Sequence, residues 1–197
     1  MMSNKIKTAV LVSGGGTNLQ ALIDKQRDGS IPKAEITMVI ASREDAFALE
    51  RAARAGIQTA VAPEQHQVLD ELRASGAQIV VLAVYMRVLS PEIIDEYRDR
   101  IINIHPSLIP KYCGKGFYGK RVHKAVLEGG EKESGATVHY VDEGVDTGKI
   151  ILQKKVPVLE GDTADILAAR VLEIEHEILA EGLNIVADRI EKDGGKI

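Results

Sequence analysis

Asn103 and His105 stand two residues apart in the apolar run Ile101-Ile102-Asn103-Ile104-His105, and Pro106 follows at once. In an extended chain, residues two apart project from one face, so the amide and the imidazole share a side while Ile102 and Ile104 share the other. Proline donates no ladder hydrogen bond and biases the preceding residue away from helix, so the strand is expected to stop at His105. An imidazole carries protons near neutral pH and an amide donates hydrogen bonds. At the carboxyl end of a strand in an α/β sheet, such a pair stands where ligands bind. Taken alone, the segment reads more readily as a strand end whose histidine only hydrogen-bonds a loop. Two other segments change that balance.

The first is Gly14-Gly15-Gly16-Thr17-Asn18, between a β-branched run and the helical pattern Leu19, Leu22, Ile23. A glycine turn opening a helix gathers backbone N–H groups where the helix dipole favours an anion, and Thr17 and Asn18 add side-chain donors. It lacks the Gly-Lys-Ser/Thr of a nucleotide-triphosphate loop, and Leu19 stands where a dinucleotide fingerprint has its third glycine, so a lone phosphate monoester fits better. A turn required only for tight packing is the alternative. The second segment is Asp142-Glu143-Gly144-Val145-Asp146-Thr147-Gly148. Its acids lack the alternating ligands and distal glutamate of a calcium loop, so no metal is expected. Asp146 set against the His105 strand end is the more economical reading.

Three further stretches carry weaker signals. Met86-Arg87-Val88-Leu89 leaves an apolar strand with its hydrophobic residues unplaced, which suits a slot for a flat heterocycle and equally suits burial under a helix. Residues 111–120 mix glycine, lysine and aromatics, as a mobile loop would. Cys113 has no nucleophile-elbow or cysteine-enzyme signature around it, so a nucleophilic role is not expected.

The elements that must position these groups follow a βαβα rhythm. Strands are expected over 7–13, 34–42, 59–62, 79–85, 101–105, 134–141 and 149–158, with Thr137, His139 and Val141 on one face of the sixth. Helices are expected from 19, over 46–55 with Gly56 as stop, 65–74 with Gly76, 92–97 capped by Ser90 with Pro91 first, near 122–127, and a long last helix capped by Asp162 or Thr163. The last helix carries the stripe Ile166, Leu167, Val171, Ile174, Ile178 and Ile185. Glu175 and His176 lie beside it, and a solvated edge is their default reading. The tail 191–195 looks frayed. The rhythm implies a doubly wound α/β fold on a mostly parallel sheet, in a single domain over residues 1–197.

Composition narrows the partners. The chain has 197 residues, 45% hydrophobic and 27% charged, within the range of one globular domain with a sizeable core. No apolar run approaches a membrane span and no signal-peptide core precedes the glycines. One cysteine excludes an internal disulfide framework and agrees with a reducing, cytoplasmic address. A net charge of −4 gives no general attraction to nucleic acid or membranes.

With these motifs in order, residues 13–22, 86–91, 103–110 and 138–146, joined by 151–153 and 170–176, the chain resembles the folate-dependent formyltransferases over nearly its whole length. The resemblance implies a Rossmann-like formyltransferase fold and transfer of a formyl group from 10-formyltetrahydrofolate, a co-substrate, to the amine of 5-phosphoribosylglycinamide, without a metal. It implies that Asn103, His105 and Asp146 are catalytic, with a protonated His105 favoured by Asp146. It implies that Gly16, Thr17 and Asn18 hold the acceptor's phosphate, and that Leu172, Glu173, Ile174 and Glu175 contact the acceptor. The folate is then expected against Met86, Arg87, Val88, Leu89, Asn103, Asp142, Glu143, Gly144, Val145 and Asp146. Residues 58–78 show no counterpart of the family's folate-tail arginine, and 114–123 differ from the family's shorter loop. Small-molecule substrates, a monomer or weak homodimer, and no nucleic-acid or membrane partner complete the expectation. Another folate formyltransferase, a formyltetrahydrofolate hydrolase and a non-enzymatic nucleotide-sugar module are the competing readings.

Overall fold

The structure is a computed structural model that describes residues 5–194, so residue 195 of the expected frayed tail lies outside the described residues. Seven strands form one sheet in the order β3-β2-β1-β4-β5-β6-β7. β1 (Ile6–Val12), β2 (Ala34–Ala41), β3 (Gln58–Val61), β4 (Ile79–Leu82) and β5 (Ile101–His105) run parallel. β6 (Glu133–Tyr140) and β7 (Ile150–Pro157) complete the sheet antiparallel. The mostly parallel, doubly wound α/β architecture expected from the rhythm is the one observed.

Helices cover both faces. α1 (Thr17–Arg27), α2 (Phe47–Arg54) and α6 (Ala164–Lys192) pack on one side, where Leu19, Leu22, Ala48, Ala52, Leu167, Val171 and Leu183 close over Val10, Val12, Ile102 and Ile104. α3 (Gln65–Ser75) and α4 (Pro91–Glu96) pack on the other, where Val68, Leu72, Ile93 and Ile94 meet Leu11, Ile40, Val80 and Ile101. α5 (Lys120–Glu128) joins the first core through Val126. The central strands are apolar on both faces because both are covered, as parallel sheets require.

Several expectations are corrected in detail. The apolar run 79–85 is strand only to Leu82, because Val84 takes a positive φ of 62° and turns the chain out of the sheet. Ser90 precedes α4 without a side-chain cap bond; its backbone N–H donates instead to Gln65 Oε1 at 2.9 Å. Thr163, not Asp162, caps α6 by accepting from the Ile166 N–H, while Asp162 binds Arg170. Ile166 and Ile185 are 49% and 46% exposed, so the buried stripe of α6 instead runs through Leu167, Val171, Glu175, Ile178 and Leu179. The tail is helical to Lys192. Among the described residues, no helix is long and apolar enough to cross a membrane.

Candidate active site

Register builds the site. β5 and β6 pair so that Asn103 lies opposite His139 and His105 opposite Thr137, which puts two imidazoles and an amide on one patch of sheet. The chain leaves β6 beyond Ile102's partner Tyr140 and folds back along the sheet, carrying Asp146 over the patch. Asp146 itself takes a left-handed φ of 58°, a conformation aspartate tolerates better than most residues.

Four groups converge there. Asp146 Oδ2 lies 3.4 Å from His105 Nδ1 and accepts the Gly114 N–H at 2.9 Å. Its other oxygen lies 3.6 Å from His139 Nε2 and 3.5 Å from Asn103 Nδ2. His105 Nε2 is 2.9 Å from the Tyr112 carbonyl, which can only accept, so this nitrogen carries a proton. By the same logic His139 Nδ1 donates to the Tyr140 carbonyl at 2.8 Å, and its Nε2 accepts from Asn103 Nδ2 at 3.1 Å. The amide's second hydrogen has only the long contact to Asp146 and remains open to a stronger acceptor.

Burial sets the electrostatics. It pushes His105 below the ordinary histidine value, and Asp146 and the Tyr112 carbonyl recover only part of that loss. The expected preference for a protonated His105 is therefore corrected: Asp146 pulls in that direction, but desolvation is the larger effect. Burial works against ionisation of Asp146 as well, yet the neighbouring His139 and His105 rings and the Gly114 N–H together bring it below the usual carboxylate value. His123, 4% exposed, is lowered by burial and by His105.

A cavity of about 580 Å³ opens over the cluster. It is lined by Asn103, His105, His123, His139 and Asp146, by Met86, Arg87, Val88 and Leu89, and by the loop from Gly114 to Gly119. Asp142, Gly144 and Val145 also face it. Met86 and Val88 are 52% and 66% exposed at its mouth, whereas Leu89 is buried in the second core, so each of the two readings of this segment holds for part of it. The guanidinium of Arg87 turns back to the Pro63 carbonyl.

Not every expected residue reaches the cavity. The three acids of the 142–148 loop diverge: Asp142 accepts from Gly144 and Thr147, Glu143 pairs with Arg98 at 2.8 Å in solvent, and only Asp146 meets the histidines. On α6, residues three apart share a face, so Leu172 and Glu175 line the cavity while Glu173 points to solvent and Ile174 packs on the core. Gly16, Thr17 and Asn18 lie beside the cavity, not in its wall, and connect to it through Asn18 Nδ2, which donates to Glu175 Oε2 at 2.8 Å. Glu175 is 7% exposed, and burial raises its carboxyl to about 7, with the Asn18 bond pulling the other way. Its solvated-edge reading is overturned. Cys113 donates to the Pro110 carbonyl at 3.3 Å, and burial, then the charge of Asp146, raises its thiol.

Sequence reasoning assigned no role to His139 or His123. The alternation of residues 134–141 placed His139 on a face with Thr137, but only its register against Asn103 reveals what that face meets. His123 gave no signal, since its exposure depends on where α5 docks.

Comparison with known proteins fits this arrangement. The formyl transferase family matches residues 6–183. The phosphoribosylglycinamide formyltransferase of Escherichia coli (strain K12) is 42% identical over 188 residues, covering 91% of this chain and 86% of that protein. The trifunctional purine biosynthetic protein adenosine-3 of Drosophila pseudoobscura pseudoobscura is 46% identical over 191 residues, and the chain spans only 14% of its length. The crystal structure of glycinamide ribonucleotide transformylase 1 from Symbiobacterium toebii superposes with a TM-score of 0.86 at 41% identity, covering 93% of this chain and 88% of that one.

Proposed function

The chain belongs to the formyl transferase family, and from that premise we propose that it transfers a formyl group from 10-formyltetrahydrofolate to the amine of 5-phosphoribosylglycinamide. The observation that carries the reading is the convergence of Asn103, His105 and Asp146 within 3.5 Å in the wall of a cavity. Residues 1–197 act in it as one formyltransferase unit, on small-molecule substrates.

The amine lone pair attacks the formyl carbon, and the carbonyl π electrons move to oxygen. That oxygen gains negative charge in a site largely withdrawn from water, where a preplaced donor is worth most. The open hydrogen of the Asn103 amide supplies one, and His139 fixes the amide's orientation from behind. The nitrogen that has attacked must then lose a proton, and the folate N10 must gain one before the bond from N10 to the formyl carbon breaks. His105 and Asp146 carry that proton. Burial keeps the protonated imidazole acidic, so it gives the proton up readily to N10, while the neighbouring carboxylate keeps the acceptance step within reach. Holding both substrates in one cavity supplies much of the remaining acceleration.

The heterocycle of the folate lies against Met86, Arg87, Val88, Leu89 and the loop Asp142, Gly144 and Val145. The acceptor runs from Glu175 to the glycine loop, where its phosphate meets the N–H groups that open α1. The test is to incubate the protein with both substrates and measure formylated acceptor and tetrahydrofolate. Equal amounts of the two are expected. Release of formate without the acceptor would identify a hydrolase instead.

A further inference from the structure

Helix α2 stands behind the glycine loop and touches it at three points. The Ala48 N–H donates to the Gly14 carbonyl at 3.1 Å. Arg51 Nε donates to the Gly15 carbonyl at 2.8 Å, and its Nη1 donates to Gln20 Oε1 at 3.2 Å on the first turn of α1. A side chain at Gly16 would bring its Cβ to 2.6 Å from Ala48 Cβ and 2.8 Å from the Ala48 backbone, so only glycine lets the two elements approach this closely.

The planar trans peptide turns these bonds into a direction. Carbonyl and N–H of one peptide unit point opposite ways. The carbonyl of Gly14 is held toward α2, so the Gly15 N–H points away from α2. The carbonyl of Gly15 is held toward α2 by Arg51, so the Gly16 N–H points away as well. Two consecutive donors are thus turned outward, and Gly16, at φ 72° and ψ 34°, delivers the chain into α1 with further free N–H groups on its first turn. Beside them Asn18, 1% exposed, keeps Oδ1 without a partner among the described residues.

We infer that Arg51 is a positioning residue for the acceptor's phosphate: from the far side of the loop, its guanidinium fixes the Gly15–Gly16 peptide so that the Gly16 N–H faces the anion. The inference rests on the reading of the glycine loop as a phosphate site. Arg51 touches no substrate. Its planar Nε–H sets a carbonyl direction, a task that a lysine ammonium on a flexible stem does not reproduce.

The test compares steady-state kinetics of wild type, Arg51→Met, Arg51→Lys and Gln20→Ala, with Arg54→Met as control, since Arg54 pairs with Glu50 and does not reach the loop. Each protein is assayed with the phosphorylated and the dephosphorylated acceptor. Arg51→Met is expected to raise KM for the phosphorylated acceptor roughly tenfold, the scale of one lost charge-assisted hydrogen bond. Its kcat, its KM for the formyl donor and its kcat/KM for the dephosphorylated acceptor should stay within about twofold of wild type. Arg51→Lys should recover little of the loss. Gln20→Ala, which frees one end of the guanidinium without touching the loop, should shift KM in the same direction by a smaller factor. Titrating inorganic phosphate into the wild type should move the Gly15 and Gly16 amide resonances, and in Arg51→Met the Gly16 response should be lost. If wild type itself does not distinguish the two acceptors, the phosphate reading fails and the inference with it. If wild type does distinguish them but the Arg51 variants keep its KM ratio, or Arg51→Lys restores it fully, the orienting role alone is overturned.

Discussion

The patch at the end of β5 and the loop at the end of β1 lie two strands apart in one sheet and are made of different material. At β5 the working groups are side chains, and Asn103 meets partners 36 and 43 residues away in sequence. At β1 the outward-facing donors are backbone N–H groups, and the side chains that matter stand behind them on α2. A side-chain site titrates, so burial and neighbouring charge set its behaviour. A backbone site does not, and is sensitive instead to whatever holds its carbonyls. Substitution should therefore act on rate in the first region and on acceptor binding in the second.

The sharpest way to break this contrast is His105→Ala, for which we expect turnover to fall about a hundredfold or more while the acceptor KM changes little, the usual scale for losing a proton carrier. A variant with near-normal kcat would remove the chemistry from β5. Asn103→Ala should lower kcat by a comparable factor, and the double variant should fall short of the product of the two, because both groups serve one transition state. Single-turnover rates measure this directly.

A smaller effect separates the acceptor wall from both regions. The folded Glu175 holds its proton up to about pH 7, against an ordinary glutamate value of 4.5 in the unfolded chain. Between those values the folded state binds more protons, so the free protein loses stability as pH rises through that window. Glu175→Gln removes the dependence, and its melting temperature should exceed that of wild type by a few degrees at pH 8 while matching it near pH 4. A constant difference across the range would mean that the carboxyl is not the titrating group. Finest of all, Asp146→Asn keeps the shape and deletes a charge, and should lower the His105 pKa further, as followed by imidazole NMR. An unmoved titration would show that the two are not coupled.

Much of the fold was legible, because helix and strand periods, glycine stops and proline starts are local signals. The glycine loop and the Asn103/His105 pair were legible for the same reason. What escaped depends on approach between distant segments. Val84 is an ordinary β-former, and nothing local announces that it leaves the strand with a positive φ. Glu175 reads as a solvated helix edge from periodicity alone, and only the resemblance points to it, because its burial depends on Asn18 from a distant segment. His139 needs the antiparallel register of β6, and Arg51 needs the docking of α2. The resemblance carries Glu143 and Glu173 to the site as parts of continuous segments, but one lies in a loop that disperses its acids and the other on the solvent side of a helix.

The long helix α6 has a consequence for how the protein is made. Its 29 residues span roughly 40 Å and cover Leu19, Leu22, Ile23, Ile102 and Val138, all synthesised before it. Gly182 presses on Val138 so closely that a Cβ there would come within 2.6 Å. A nascent chain that has completed the glycine loop and β5 therefore still shows the ribosome's surroundings an apolar sheet face, and Asn18 has no carboxylate to bind. Burial of that face and the Asn18–Glu175 bond both need α6, so a chain that lacks the helix presents a hydrophobic surface to chaperones and proteases.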